Sequence, residues 1–342
     1  MTEAAIRTQH DAPLPNTFGI AARARRLLQV DDLDALPDAL AQAGRDALLV
    51  GGGSNLLLVA PEVDAVVQPV DARIEPLDDD GDSVRVRAAA GAVWHDFVMQ
   101  TLANGWSGLE NLALIPGTVG ASPIQNIGAY GVEVMHLIEA VQVHDRVTGE
   151  TRWWPHAECG FSYRESAFKA DPQRHAVMRV DFRLSRVPKL QLGYAGIGEE
   201  LQAMGIDSPT ARDVADAVIA LRRRKLPDPA LIGNAGSFFK NPIVDVATAT
   251  AMQGEYPAMP VFRAGSEAQR KLSAAWLIDQ SGWKGHRDGD AGVSPGHALV
   301  LVNHGHASGE QLLDLARRIA ASVHERFHID IEPEPRLVGA RW

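Results

Sequence analysis

Cysteine is almost missing from this chain: Cys159 is the only one in 342 residues. One cysteine makes no intrachain disulfide and no cysteine-rich zinc site. Such scarcity suits a reducing compartment. Long apolar runs are missing too. The longest, such as residues 298–302, fall far short of the roughly 18 needed to span a bilayer. The N-terminal MTEAAIRTQHDAPLP holds no stretch of signal-peptide length. The expectation is a cytoplasmic protein that makes no membrane contact. Positive charge is outnumbered, with 33 Lys and Arg against 43 Asp and Glu, a net of −10. The densest basic block, Arg222-Arg223-Arg224-Lys225, is too short for a nucleic-acid tract. It can still receive an anionic small molecule.

What is present is ordinary for a globular protein: 46% apolar and 22% charged residues, which excludes a mainly disordered chain. At about 150 residues per domain, two or three domains are expected. The first half is strand-rich. Residues 46–50 read as a buried strand running into Gly51-Gly52-Gly53-Ser54-Asn55, followed by an apolar run from Leu56 to Val59. Residues 84–88 alternate apolar and charged, the period of a half-exposed strand. Trp94, Phe97, Val98, Thr101 and Leu102 recur at helical spacing, with Gly105 as the stop. Val141 and Val143 mark a strand, Thr148-Gly149 a hairpin turn, and Met178, Val180, Phe182 and Leu184 one further alternation. Composition shifts near residue 210. A helix over 211–225 stops at Pro227 and Pro229. Another over 310–327 buries Leu312, Ala316, Ile319, Val323 and Phe327, and a short strand over 329–331 follows.

Several stretches carry chemistry. Successive N–H groups in the Gly51–Asn55 turn form an anion-binding concavity; a plain strand–strand turn is the equal alternative. The turn is neither the dinucleotide fingerprint, because Leu56 stands where the third glycine belongs, nor a P-loop. The segment Ile115–Gly131 is dense in glycine, which allows a ligand close to the backbone, and Gln125 and Asn126 offer amides. His324-Glu325-Arg326-Phe327-His328 matches the HExxH zinc pattern. A third ligand at the usual spacing is absent, so a zinc hydrolase stands only as the alternative and no metal is expected. His297, His304 and His306 flank an apolar strand and read as exposed loop histidines. Ser237, in Gly233-Asn234-Ala235-Gly236-Ser237-Phe238-Phe239-Lys240-Asn241-Pro242, is no nucleophile elbow. It could act as a proton donor beside a cation.

Taken together, these stretches resemble the UDP-N-acetylenolpyruvoylglucosamine reductase family, in its tyrosine-loop type. The matching blocks run in order: 16–19, GGGSNLL at 51–57, GLENLALIPGTVGASPIQNIGAYG at 108–131, FSYRES at 161–166, KLPDP at 225–229, GNAGSFFKNP at 233–242, AAWLID at 274–279 and IEPEPR at 331–336. The resemblance implies an α+β fold with a vanillyl-alcohol-oxidase-type (PCMH-type) FAD-binding region. Subdomain 1 would span 1–70, completed by a C-terminal strand within 329–342, and subdomain 2 would span 71–210. A substrate domain would cover 211–328. It implies non-covalent FAD, held by Gly51, Gly52, Gly53, Ser54 and Asn55, by Pro116, Gly117, Gly120, Ala121 and Ser122, and by Gln125, Asn126, Gly128 and Ala129. It implies NADPH as co-substrate and a sugar nucleotide as substrate, bound by Tyr130, Tyr163, Tyr194, Arg222, Lys225 and Asn241. Arg164 matches the family's arginine, Ser237 its proton donor and Glu334 its glutamate, with Glu332 two residues away and on the same side if the segment is a strand. Where the type reads Tyr-Gly-Asp, this chain reads Tyr194-Ala195-Gly196. A monomer is expected. A non-catalytic flavin binder is the remaining reading, and retention of Arg164, Ser237 and Glu334 together argues against it.

Overall fold

The structure, a computed structural model, describes residues 5–342; the first four residues of the expected subdomain 1 lie outside the described ones. The chain divides into two compact units. The first comprises the chain up to Ala12, Ala24–Gly52 and Val63–Arg222, and the second Pro13–Arg23, Gly53–Glu62 and Arg223–Trp342.

The first unit holds a four-stranded sheet in the order Ile6–Pro13, Arg23–Val30, Glu62–Pro69, Leu48–Leu49. Beside it is a five-stranded antiparallel sheet in the order Thr151–Pro155, Ile138–Asp145, His175–Ser185, Ser83–Ala89, Ile74–Asp79. Alternation in Ser83–Ala89 sends Val84, Val86 and Ala88 inward. Arg87 goes outward, where it forks onto Asp181 at 2.8 and 2.9 Å. The inward face packs on the helices Trp94–Ala103 and Ala211–Lys225 through Trp94, Phe97, Phe182, Val214, Val218 and Leu221. The Ala211–Lys225 helix matches its expected bounds, and its apolar face packs in the first unit's core.

The expected single alternation through Met178 is corrected by a bulge. Gln142 pairs with Arg179 but Val143 pairs with Val177, so Met178 is skipped in the ladder. Met178 therefore turns to a second core with Leu28, Leu33, Leu36 and Val67, while Val177 joins Val180 and Phe182. An inserted residue flips the side-chain parity of everything beyond it.

The second unit is built on the helix Gly309–Phe327. Its start is fixed by Ser308, whose side chain accepts from Gln311 N while the Gln311 side chain accepts from Ser308 N, a reciprocal capping box. Tyr256, Trp276 and Phe327 form a ring cluster with centroids 5.2–5.7 Å apart. The strand expected over 329–331 is not one. Ile329 and Ile331 are buried without ladder partners, and the strand falls at Arg336–Val338. It runs parallel to Leu56–Leu58. Apolar alternation here records burial, which a chain can meet without sheet pairing.

Candidate active site

In the first unit the two glycine segments meet. A Cβ on Gly51 would run into Thr118 Oγ1, and one on Gly52 would stand 3.6 Å from Gly117 Cα. Trp94 N donates to Gly117 O and Val119 N to Ala92 O, so the second segment is pinned to the start of the Trp94–Ala103 helix. Gly120 sits so close to Ala90 that a Cβ would lie 2.5 Å from the Ala90 Cβ and 2.9 Å from its Cα. Among the described residues, the N–H groups of Gly51, Gly52, Gly117 and Thr118 donate to no acceptor in the chain. Ser122 Oγ is buried and also lacks a partner. Converging unspent amides are the chemistry of an anion cradle, and an orphaned buried hydroxyl calls for a ligand or water.

The segments 125–131 and 161–166 are cross-braced. Asn126, Tyr130 and Arg164 all adopt left-handed backbone, with φ of 45°, 49° and 58°, a conformation that costs a side-chain-bearing residue about 1–2 kcal/mol and that clusters at functional sites. The Arg164 guanidinium donates from Nη1 to Asn126 O at 3.3 Å and from Nη2 to Gly128 O at 2.7 Å, and it sits 5.5 Å from the Tyr163 ring. The Asn126 amide is spent inside the protein. Its Nδ2 donates to Ser162 O and Glu133 Oε2, and its Oδ1 accepts from Met135 N. Asn126 is fully buried, and the amide anticipated from sequence as a ligand contact is used inside the protein.

Tyr130 and Tyr194 pack edge-on at 5.0 Å. Asn111 Nδ2 donates to Tyr130 O and to Gln191 O, both at 2.9 Å, tying these two segments together. Nothing in the sequence singled out Asn111; an amide beside Glu110 and between two leucines, Leu109 and Leu112, was the available signal. Arg222 is half-buried with no ion pair in its unit among the described residues. Burial pushes its guanidinium below the ordinary arginine range, opposed by the nearby Tyr130 hydroxyl.

In the second unit, the GNAGSFFKNP stretch runs between two other segments. Ser237 bridges Val300, Phe238 N donates to Leu299 O, and Glu334 N donates to Phe238 O at 2.7 Å. Ser237 and Glu334 are thus on adjacent extended segments. The Ser237 hydroxyl has no hydrogen-bond partner in this unit among the described residues. Residues 332–334 make one isolated bridge, Phe239 to Pro333, and no strand, so Glu332 and Glu334 do not share an environment. Glu332 is exposed with Lys240 Nζ at 3.6 Å, whereas Glu334 is half-buried. Gly53, at φ 66°, closes against Pro15, and Thr17 N and Oγ1 take the carbonyls of Gly53 and Ser54. Asn241 Oδ1 accepts from Ala274 N.

His297 corrects the reading of exposed loop histidines. Its Nδ1 accepts from Leu299 N at 3.2 Å. Burial, then the charges of Lys225 and Lys284, lower its pKa below the ordinary histidine value. His304 and His306 are exposed as expected. His324 Nδ1 is 2.8 Å from Asp330 Oδ1, and its ring is 6.3 Å from that of His328. Among the described residues no group of three or more His, Cys, Asp or Glu is placed to hold a metal. No helix among them is long and apolar enough to cross a membrane.

Comparison with known proteins adds the following. A family model described as FAD binding domain matches residues 24–154, and one described as UDP-N-acetylenolpyruvoylglucosamine reductase, C-terminal domain, matches 228–338. The UDP-N-acetylenolpyruvoylglucosamine reductase of Xylella fastidiosa is 52% identical over 337 residues, 97% of this chain and 96% of that protein. That of Xanthomonas euvesicatoria is 52% identical over 330 residues, 96% of this chain and 94% of its own length. The crystal structure of the Thermus caldophilus UDP-N-acetylenolpyruvylglucosamine reductase is 27% identical, covers 97% of this chain and 98% of its own, and aligns with a TM-score of 0.66. The fold is the α+β, PCMH-type FAD-binding region with the reductase C-terminal domain.

Proposed function

The chain belongs to the UDP-N-acetylenolpyruvoylglucosamine reductase family, and from that membership we propose how its own residues carry out the reduction. The protein is an FAD-dependent oxidoreductase, a UDP-N-acetylmuramate dehydrogenase of peptidoglycan precursor synthesis. The unspent amides of Gly51, Gly52, Gly117 and Thr118 and the orphaned Ser122 hydroxyl fit FAD, with the amides on its diphosphate. FAD held there without a covalent bond, and reduced by NADPH, would supply the hydride that flavin N5 delivers to C3 of the enolpyruvyl group.

Arg164 stabilises the negative charge that develops at C2 and spreads into the substrate carboxylate. A preorganised donor in such a place is worth about 3–4 kcal/mol, and a guanidinium suits a carboxylate because it forks. Its two carbonyl bonds hold it in orientation. Ser237 gives its hydroxyl proton to C2, completing addition of hydride and proton across the double bond. Ser237, which is half-buried rather than sealed off, regains that proton from water before the next turnover. Glu334 helps stabilise the enol form. Lys225, Arg222 and Asn241 receive the nucleotide diphosphate. Tyr163 and Tyr130 line the substrate, and Tyr194, edge-on to Tyr130, supports the tyrosine-loop type. The protein works in the cytoplasm as a monomer.

The observation that carries this reading is the Ser237 hydroxyl, without a hydrogen-bond partner in its unit among the described residues, on the segment bonded through Phe238 to Glu334. Stopped-flow absorbance tests it. In Ser237→Ala, bleaching of the flavin by NADPH should keep its rate. Reoxidation by UDP-N-acetylglucosamine enolpyruvate should slow by about a hundredfold to ten-thousandfold, the range for a lost general acid. Equal loss in both half-reactions refutes the proton-donor role.

A further inference from the structure

Asn234 is 4% exposed and has no assigned role. Its amide is fully used. Nδ2 donates to Pro227 O at 3.1 Å and to Ile232 O at 2.8 Å, and Oδ1 accepts from Gly236 N at 3.0 Å. Its backbone is equally fixed: Asn234 N donates to Thr17 O, and Asn303 N donates to the adjoining Gly233 O. A Cβ on Gly233 would overlap the Phe18 carbonyl oxygen, so the base of the loop has no room to shift. The two outer bonds reach functional segments. Pro227 follows Lys225 by two residues. Gly236, at φ 71°, is the hinge from which the chain enters Ser237.

We propose that Asn234 is a positioning residue that holds the Lys225 segment and the Ser237 turn in one register, so that diphosphate binding sets the proton donor over its carbon. The proposal rests on the roles given above to Lys225 and Ser237. Asparagine is required chemically, because the two atoms facing Nδ2 are both carbonyl oxygens and the atom facing Oδ1 is an N–H. Asn234→Asp keeps shape and the Gly236 acceptor but turns an oxygen toward two carbonyls, releasing the Pro227 side of the brace.

The test measures both half-reactions of Asn234→Asp holoenzyme, per bound flavin. Reduction by NADPH should match the parent. Reoxidation by UDP-N-acetylglucosamine enolpyruvate should fall on the order of a hundredfold, the scale of a misplacement of about 1 Å, with a raised KM for that substrate. A purely structural role would lower the yield of flavin-loaded protein and leave the reoxidation rate per flavin intact, and that result overturns the proposal. If Asn234→Asp does not retain flavin, Asn234→Ser gives the same reading. Ser237→Ala run in parallel separates the claims. If it reoxidises normally, the proton-donor reading has failed. If it is slow while Asn234→Asp is normal, only the present proposal has failed.

Discussion

At the scale of single residues, the side chains that organise this protein are mostly amides and carboxylates whose partners are distant in sequence. Asn126 reaches Ser162, Asn111 reaches Gln191, and Asn234 reaches Thr17 through its backbone. Glu110 is buried too, but its partner is local. It is 2% exposed, with Oε2 accepting from Gly108 N at 2.6 Å. Burial raises its pKa above the ordinary carboxyl value, against the smaller opposing pull of backbone N–H groups. A carboxyl that holds its proton more tightly when folded stabilises the fold most at low pH. That contribution is lost as pH rises from the ordinary carboxyl range through the raised value. Glu110→Gln keeps a carbonyl acceptor and cannot ionise. Its Tm relative to the parent should therefore rise as the pH climbs above the ordinary carboxyl range, as read by differential scanning calorimetry. A constant or shrinking gap would refute the buried ionisation. Cys159 illustrates the inert counterpart, a thiol that burial pushes up to about 12, far from the reactive range.

At the scale of elements, glycine decides which segments can touch. Gly120 against Ala90 and Gly309 against the Leu58 carbonyl oxygen are contacts between backbones, so a methyl group cannot be absorbed by a rotamer change. Gly120→Ala should cost about 1–3 kcal/mol, as overpacking does, and release FAD during gel filtration. Gly52→Ala, whose Cβ meets nothing nearer than 3.6 Å, should leave the apo-protein Tm unchanged. Thermal melts of both apo variants, with flavin content by absorbance, check the pair. A Gly120→Ala protein with parental Tm and full flavin would remove the close-approach explanation. Three strands of the five-stranded sheet, Ser83–Ala89, Ile138–Asp145 and His175–Ser185, and the helices Trp94–Ala103 and Ala211–Lys225 were legible in advance, because period 2 and period 3.6 are local properties. The bulge at Met178 was not, because it depends on which residues of Ile138–Asp145 lie opposite.

At the scale of the whole molecule, neither unit is a continuous stretch of chain. Pro13–Arg23 and Gly53–Glu62 belong with Arg223–Trp342. The strand Arg336–Val338 therefore finds its partner, Leu56–Leu58, some 280 residues earlier (338 − 58). A fragment spanning 223–342 lacks that partner and the Phe18 ring that packs on Phe238 at 6.3 Å. It should show no cooperative thermal transition by circular dichroism. A sharp transition would mean that the second unit's core closes without the two early segments. Single-domain truncations of this protein are for the same reason poor tools for dissecting its site.

By itself, the amino-acid order determined the α+β class, the helix bounds 211–225 and the glycine turns. Each of these follows from local spacing or from short, specific strings of residues, whereas Arg164, Ser237 and Glu334 enter through the family resemblance and remain a proposal. Only the tertiary structure decided that the Asn126 amide is internal, that Glu332 and Glu334 differ in exposure, that His297 is sheltered beside two lysines, and that the last strand lies at 336–338. Those outcomes depend on partners tens to hundreds of residues away. Burial and hydrogen-bond satisfaction select such partners only once the whole chain has closed on its cores.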